Sequence, residues 1–127
     1  MTDLHWSQDD ILGDAKLDRE HQELFALVQG LATAQPDRAA ALLGDLADLS
    51  RRHFEAEEAR MRETGYYGAA AHRAEHRFLL GILDARRKEG ERLDPSRVAT
   101  ELADTLLHHI REVDRLFARF LDGRKER

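Results

Sequence analysis

Histidine and carboxylate are the side chains here whose types and spacing could do chemistry. The chain has 127 residues, seven of them histidine, and no cysteine. Without cysteine there can be no disulfide, iron–sulfur cluster, thiolate-held haem, cysteine-type zinc site or cysteine nucleophile. His72 and His76 form an HxxxH pair, which sets two imidazoles one helical turn apart on one face, as a chelate requires. His53 and Glu57 repeat that geometry as HxxxE. Each pair alone is a weak signal, because polar residues four apart are common on solvated helix faces. The company they keep is stronger: His21, His53, His72, His76 and His109 all fall on apolar stripes. A buried imidazole needs a hydrogen bond or a metal, and a single one is ordinarily a satisfied core residue. Five of them, spread over every helix predicted below, converge on one axis and point to a metal centre. Imidazole with carboxylate suits iron, manganese or zinc.

The elements that must position these groups read as four helices. After an irregular arm (residues 1–17, with Trp6 and Gly13), Asp18 is the predicted N-cap of a helix running to about residue 34. Its apolar face is His21, Leu24, Phe25, Val28, Leu31 and Ala32. Pro36 reads as a break and Asp37 as the cap of a second helix over about 38–64, closed by Gly65. Its stripe is Leu42, Leu46, Leu49, His53 and then Glu57. A third helix spans about 69–89 and stops at Gly90, with His72, His76, Leu79 and Leu83 on one side. Asp94-Pro95, cap then first-turn proline, starts a fourth that runs to about 121. No β-like alternation and no internal repeat is present. Short connections between four amphipathic helices predict a single all-α domain, an antiparallel up-down-up-down four-helix bundle.

The fourth helix offers two ways to contribute. Simple spacing favours His108 with Glu112, four apart like His53 and Glu57. His109 and Asp114 are five apart, which an ideal helix places about 140° around its axis. Yet His109 continues the apolar row Val98, Leu102, Leu106, Val113, Leu116 and Phe120, while His108 stands among charged residues. Asp114 continues a neighbouring row through Ala103, Leu107, Ile110, Phe117 and Leu121. Metals lying between the two rows, or a π-type turn near Ile110, would reconcile that separation.

Composition narrows the function classes. At 42% hydrophobic and 35% charged, the chain is too apolar for a disordered segment and too charged for a membrane span. Its longest apolar run, Phe78 to Leu83 with Gly81 inside it, falls far short of the ~20 residues that cross a bilayer. A net charge of −5 with no basic block argues against nucleic acid and anionic membranes as partners. Residues 1–10 are acidic and carry no signal-peptide pattern, so the expected location is the cytoplasm.

The ordered set of motifs resembles the hemerythrin family, in its single-domain bacterial form. The matching pieces are Trp6, Gly13, Leu17-Asp18-Arg19-Glu20-His21, His53-Phe54 with Glu57-Glu58 and Met61, and Gly65-Tyr66. His72-x-x-x-His76-x-Phe78, then His109-Ile110 with Asp114, complete a resemblance that covers essentially the whole chain. It implies that His21, His53, Glu57, His72, His76, His109 and Asp114 are the metal ligands. It also implies two iron ions with an oxo or hydroxo bridge, and dioxygen as the ligand, with azide and nitric oxide as other small ligands. Five imidazoles, two bridging carboxylates and the shared bridge fill all but one position of two octahedral ions. With His72, His76 and His109 on one iron, the opening belongs to the iron of His21 and His53. The expected function is reversible oxygen binding for storage, delivery, scavenging or sensing, rather than enzymatic turnover. A di-iron oxidase, peroxidase or nitric-oxide-handling enzyme is the main alternative, and a metal buffer the third.

Leu107, by the same resemblance, lines the oxygen pocket, while Phe25, Phe54 and Phe78 are expected near the ligands, where they would keep water out or simply pack. Glu58 points about 100° away from Glu57 and is expected behind a ligand or at the surface. Two positions depart from the family pattern: Tyr67 stands where proline is usual, and Thr105 where helix four commonly has tryptophan.

Overall fold

The computed structural model describes residues 7–125 of the chain; the expectations on Trp6 fall outside them. Four helical rods are joined by short connections, and no strand occurs among the described residues. The rods are α1 (Ala15–Ala32), α2 (Pro36–Thr64), α3 (Ala69–Arg87) and a fourth in three consecutive parts. Those parts are α4 (Pro95–His108), a π-helical segment (His109–Asp114) and α5 (Arg115–Lys125). α1 packs against α2 and α4, and α3 against α2 and α4, which is the cyclic neighbour pattern of an up-down-up-down bundle. Its antiparallel sense follows from connections too short to cross the bundle.

Several boundaries differ from the sequence expectation, each for a local reason. α1 starts earlier, capped by Asp14, whose carboxylate accepts from the Leu17 amide at 3.0 Å. Asp18 is not the cap. It lies in the first turn and reaches back to accept from the amides of Leu12 (2.7 Å) and Gly13 (3.1 Å), tying the arm to the helix. Pro36 does not break a helix but begins one, occupying the first turn of α2 where its missing N–H costs nothing; Gln35, not Asp37, is the N-cap. The far end closes as expected on Gly65, at φ 68°, a left-handed conformation that suits glycine. α3 ends at Arg87, before a short 3-10 turn at Gly90–Arg92. Asp94 caps α4 by accepting from the Arg97 amide. The fourth rod continues past residue 121 to Lys125.

Two apolar layers form along the bundle. One contains Leu24, Phe25, Val28, Leu31, Leu42, Leu43, Leu46, Leu83, Val98, Leu102 and Leu107. The other contains Leu17, Met61, Tyr66, Phe117 and Leu121. On each of α1, α2 and the fourth rod, the histidines of interest fall between residues of the first layer and residues of the second. The bundle therefore places a polar stratum between two dry ones.

Candidate metal centre

All seven sequence-predicted ligands are buried, at 2% exposure or less, and meet in that stratum. Each helix supplies them by its own register. α1 brings His21 and α3 brings His72 and His76; α2 brings His53 and Glu57 one regular turn apart. The π segment opens on His109 and closes on Asp114. A π turn holds one residue more than an α turn, so residues five apart come onto one side. His109 Nε2 accordingly stands 3.1 Å from Asp114 Oδ1. His108 and Glu112 are exposed, so the tidier spacing is not the one used. The extra residue also shifts the inward row. Ala103, Leu107, Ile110, Asp114, Phe117 and Leu121 are buried, whereas Leu116, expected inward, is 53% exposed.

The donor atoms fall into two overlapping groups. Glu57, His72, His76, His109 and Asp114 make one, and His21, His53, Glu57 and Asp114 the other, the atoms of each lying within 4.8 Å of one another. Both carboxylates belong to both groups. Glu57 Oε1 lies 2.7 Å from His72 Nε2 and 3.0 Å from His76 Nε2, while Glu57 Oε2 faces His53 Nε2 at 3.6 Å. Asp114 Oδ1 lies 2.8 Å from His72 Nε2, and Oδ2 lies 2.9 Å from His21 Nε2.

These contacts do not amount to a satisfied hydrogen-bond network. The ring nitrogens of His53, His72 and His109, Glu57 Oε2 and both Asp114 oxygens are buried without an aligned hydrogen bond. Groups left this way are costly in an apolar core. His76 makes the point most clearly. Its ring stands between two carboxylates, with Nδ1 2.8 Å from Glu58 Oε2 and Nε2 3.0 Å from Glu57 Oε1. A neutral imidazole can donate to only one of two carboxylates, so the other contact calls for a second proton or a cation between. His53 repeats the pattern at longer range, with Nδ1 3.4 Å from Glu20 Oε2 and Nε2 towards Glu57.

Electrostatics agree with the geometry. Burial alone would lower the pKa of His72, but the carboxylates of Asp114 and Glu57 outweigh it and push it up to about 9. Burial and the charge of Asp114 would raise Glu57, yet His72, His76 and His53 hold it below its ordinary value. Burial likewise opposes ionisation of Asp114, and His109, His21 and His72 hold it well below the usual carboxylate range. Two ionised carboxylates in a protein interior call for positive charge, and metal ions provide it by displacing the imidazole protons.

The aromatic expectations divide. Phe54 is buried and stacks on His76 with ring centroids 4.0 Å apart and planes 9° from parallel; it also touches His53 and His109. Phe54 borders a cavity of about 30 Å³ whose wall includes Val28, Leu79, Leu102 and Thr105. Leu107 and Phe25 are buried in the apolar layer beside the cluster rather than on that wall. Phe78 is a correction: it is 61% exposed, because two residues on from His76 turn it about 200° away from the core.

Two groups were less legible. Glu58 stands behind His76 as a supporting carboxylate, as its direction allowed. Glu20 backs His53 at 3.4 Å across two helices, a contact no spacing encodes; its place beside His21 is the one sequence signal for it. The Asp10–Arg111 pair, which ties the arm to the π segment, joins residues 101 apart in sequence.

A four-helix bundle with a buried imidazole–carboxylate core defines a class of metal-binding bundle proteins. Residues 12–121 match the Hemerythrin HHE cation binding domain, and the chain belongs to the hemerythrin family. It is 33% identical over 107 residues to the bacteriohemerythrin of Methylococcus capsulatus, covering 79% of this chain and 82% of that one. To the bacteriohemerythrin of Stenotrophomonas maltophilia it is 30% identical over 125 residues, covering 93% and 81%. A crystal structure of wild-type hemerythrin superposes with a TM-score of 0.83 at 28% identity, covering 91% of this chain and 95% of that one. Hemerythrins bind non-haem iron and dioxygen, and the buried cluster suits a di-iron site. No helix among the described residues is long and apolar enough to cross a membrane.

Proposed function

We propose that this chain holds two iron ions and binds dioxygen reversibly. His72, His76 and His109 would hold one ion and His21 and His53 the other, with Glu57 and Asp114 bridging. The observation that carries the reading is that the two ligand groups share both carboxylates and divide the imidazoles three and two. That division would leave the side of His21 and His53 with fewer protein ligands, and so room for a small ligand. When bound, the ferrous pair supplies the electrons that a dioxygen ligand takes up.

The remaining work belongs to the protein. Glu58 would fix the ring of His76 through Nδ1, and Glu20, 3.4 Å from Nδ1 of His53, stands in the corresponding place behind that ring, so that the Nε2 atoms would face the metals. Phe54, stacked on His76, shields that flank, and Leu107 and Phe25 belong to the dry apolar layer beside the cluster. Imidazole-rich ligation donates less negative charge than carboxylate-rich di-iron bundles do, which favours a carrier over an oxygen-activating enzyme. Storage, delivery, scavenging and sensing all rest on the same binding step.

The test is to load the full chain with iron, measure two ions per chain, reduce it anaerobically and admit oxygen. A new absorption band that disappears when oxygen is swept out supports the reading. Rapid irreversible oxidation with peroxide release would overturn it in favour of a di-iron oxidase, and a colourless zinc-only protein in favour of a metal buffer. Azide, as a small-ligand probe, should bind the oxidised protein on the side of His21 and His53. A crystal structure with azide on the three-histidine side would overturn that assignment.

A further inference from the structure

Tyr66 and Tyr67, the only tyrosines in the chain, follow the glycine that closes α2. Tyr66 is buried, its ring 4.9 Å from Phe117. Gly68 lets it lie there, since a Cβ at that position would come within 2.8 Å of the Tyr66 ring. Phe117 in turn stands perpendicular to His72, with centroids 6.1 Å apart. Outward from Tyr66, the ring of Tyr67 is 5.2 Å away and 86% exposed. A line of touching rings therefore runs from the buried cluster to solvent: His72, Phe117, Tyr66, Tyr67. Its last member is the residue that stands where the family pattern has proline, and nothing in the oxygen-binding function uses it.

Phenol is among the most easily oxidised of side chains, and this chain has no cysteine to compete. Oxidising a phenol removes a proton as well as an electron, so the radical settles where the proton can leave. Tyr66 is poorly placed for that: burial, and then the charges of Tyr67, Asp114 and Glu57, make its hydroxyl harder to deprotonate. The Tyr67 side chain stands in water, which accepts the proton.

We infer that Tyr67 is a surface site of one-electron oxidation, through which oxidising equivalents leave the protein when hydrogen peroxide is reduced at the metal centre. The inference rests on the metal occupancy proposed above. One peroxide and two oxidations of a Tyr67 phenol, on two chains or on one chain whose phenol a reductant restores between them, balance as two water molecules and two neutral tyrosyl radicals. The O–O bond breaks, and each tyrosine gives up one electron and its hydroxyl proton. A small one-electron reductant that donates a hydrogen atom restores the phenol. Where none is present, radicals on two chains couple through a ring carbon–carbon bond, giving a dityrosine-linked dimer.

The experiment uses the full chain with its iron content measured, mixed with hydrogen peroxide and frozen within seconds. A tyrosyl radical signal in electron paramagnetic resonance and a dityrosine dimer mapped to Tyr67 by mass spectrometry are expected. Both should be lost in Tyr67→Phe, weakened in Tyr66→Phe, and absent from zinc-loaded wild-type protein. A radical that survives Tyr67→Phe, or a dimer of equal yield in the zinc-loaded protein, overturns the inference. A chain that takes up no iron overturns the proposed function and this inference together; iron-loaded protein without a Tyr67 radical overturns this inference alone.

Discussion

α2 and the fourth rod each bring one imidazole and one carboxylate to the same centre, and they use different helices to do it. In α2, His53 and Glu57 are four apart in regular α-helix. In the fourth rod, His109 and Asp114 are five apart, and the π segment between them brings their side chains to 3.1 Å. The second arrangement is also tied to the N-terminal arm. Arg111, inside the π segment, donates from Nε to Asp10 Oδ1 at 2.6 Å and from Nη2 to Oδ2 at 3.2 Å. The contrast teaches that ligand separation in sequence is not ligand separation in space, because one extra residue can be absorbed within a single turn.

One-residue deletions should separate the two cases most sharply. Removing exposed Glu112 lets the π segment close into ordinary helix, with the histidine and aspartate four apart as in α2. Phe117 and Leu121 keep their inward face, so folding and iron uptake should survive. α2 has no such slack. Removing exposed Glu55 turns everything beyond it by about 100°, carrying Glu57 and Met61 out of the interior. That deletion should abolish iron uptake and destabilise the chain by several kcal/mol, roughly the upper range for disruption of a core. Metal analysis with thermal melts on both variants is the check, and equal damage from both would remove the distinction drawn here.

A smaller perturbation asks which face of the fourth rod matters. His109→Ala removes a buried donor and should lose iron from the three-histidine side. His108→Ala alters an exposed side chain and should shift stability by no more than about 0.5 kcal/mol with iron content unchanged. The reverse pattern would mean that regular spacing, not the π turn, governs this rod.

The same contrast explains what could be read in advance. The bundle was legible because apolar residues recur at helical spacing on all four rods and the punctuation at Gly65 and Asp94-Pro95 is unambiguous. His53, Glu57, His72 and His76 were legible because chelating pairs one turn apart obey that period. His109 and Asp114 were not, on period alone; burial pattern and resemblance had to overrule it. Asp18 and Pro36 misled because one residue type serves two purposes: an aspartate one turn inside a helix can bind the preceding loop, and a proline can begin a helix as well as end one. Glu20 and Arg111 are not legible from spacing, since their partners lie on other elements.

The supporting carboxylates give a third and gentler probe, on the α2 side of the comparison. Glu58→Gln weakens the acceptor behind His76, and Glu20→Gln the one behind His53. Each should reduce metal affinity by roughly 10–100-fold without unfolding the bundle. Glu58 should be the more sensitive, because its contact is 2.8 Å against 3.4 Å for Glu20. Competition titrations with a chelator would measure both, and affinities equal to wild type would show that the rings are held by packing alone.

The tether on the π segment should have the smallest effect, and its sign with pH is fixed. Asp10 is fully buried and accepts from Arg111 and from the amide and hydroxyl of Ser7. Burial would raise its pKa, but the Arg111 guanidinium and Ser7 together hold it below the ordinary 3.8. A carboxyl that titrates lower in the folded than in the unfolded chain contributes stability above the unfolded value. That contribution fades as pH falls through the folded one. Asp10→Asn should therefore cost about 1 kcal/mol at neutral pH, the scale of a partly exposed ion pair. The difference from wild type should vanish in acid below the folded value. Hydrogen exchange adds the regional test: amides of 109–114 should exchange faster in Asp10→Asn while those around His53 and Glu57 stay protected. If the two regions loosen alike, or if the stability gap persists in acid, the Asp10–Arg111 pair is not what holds the π turn.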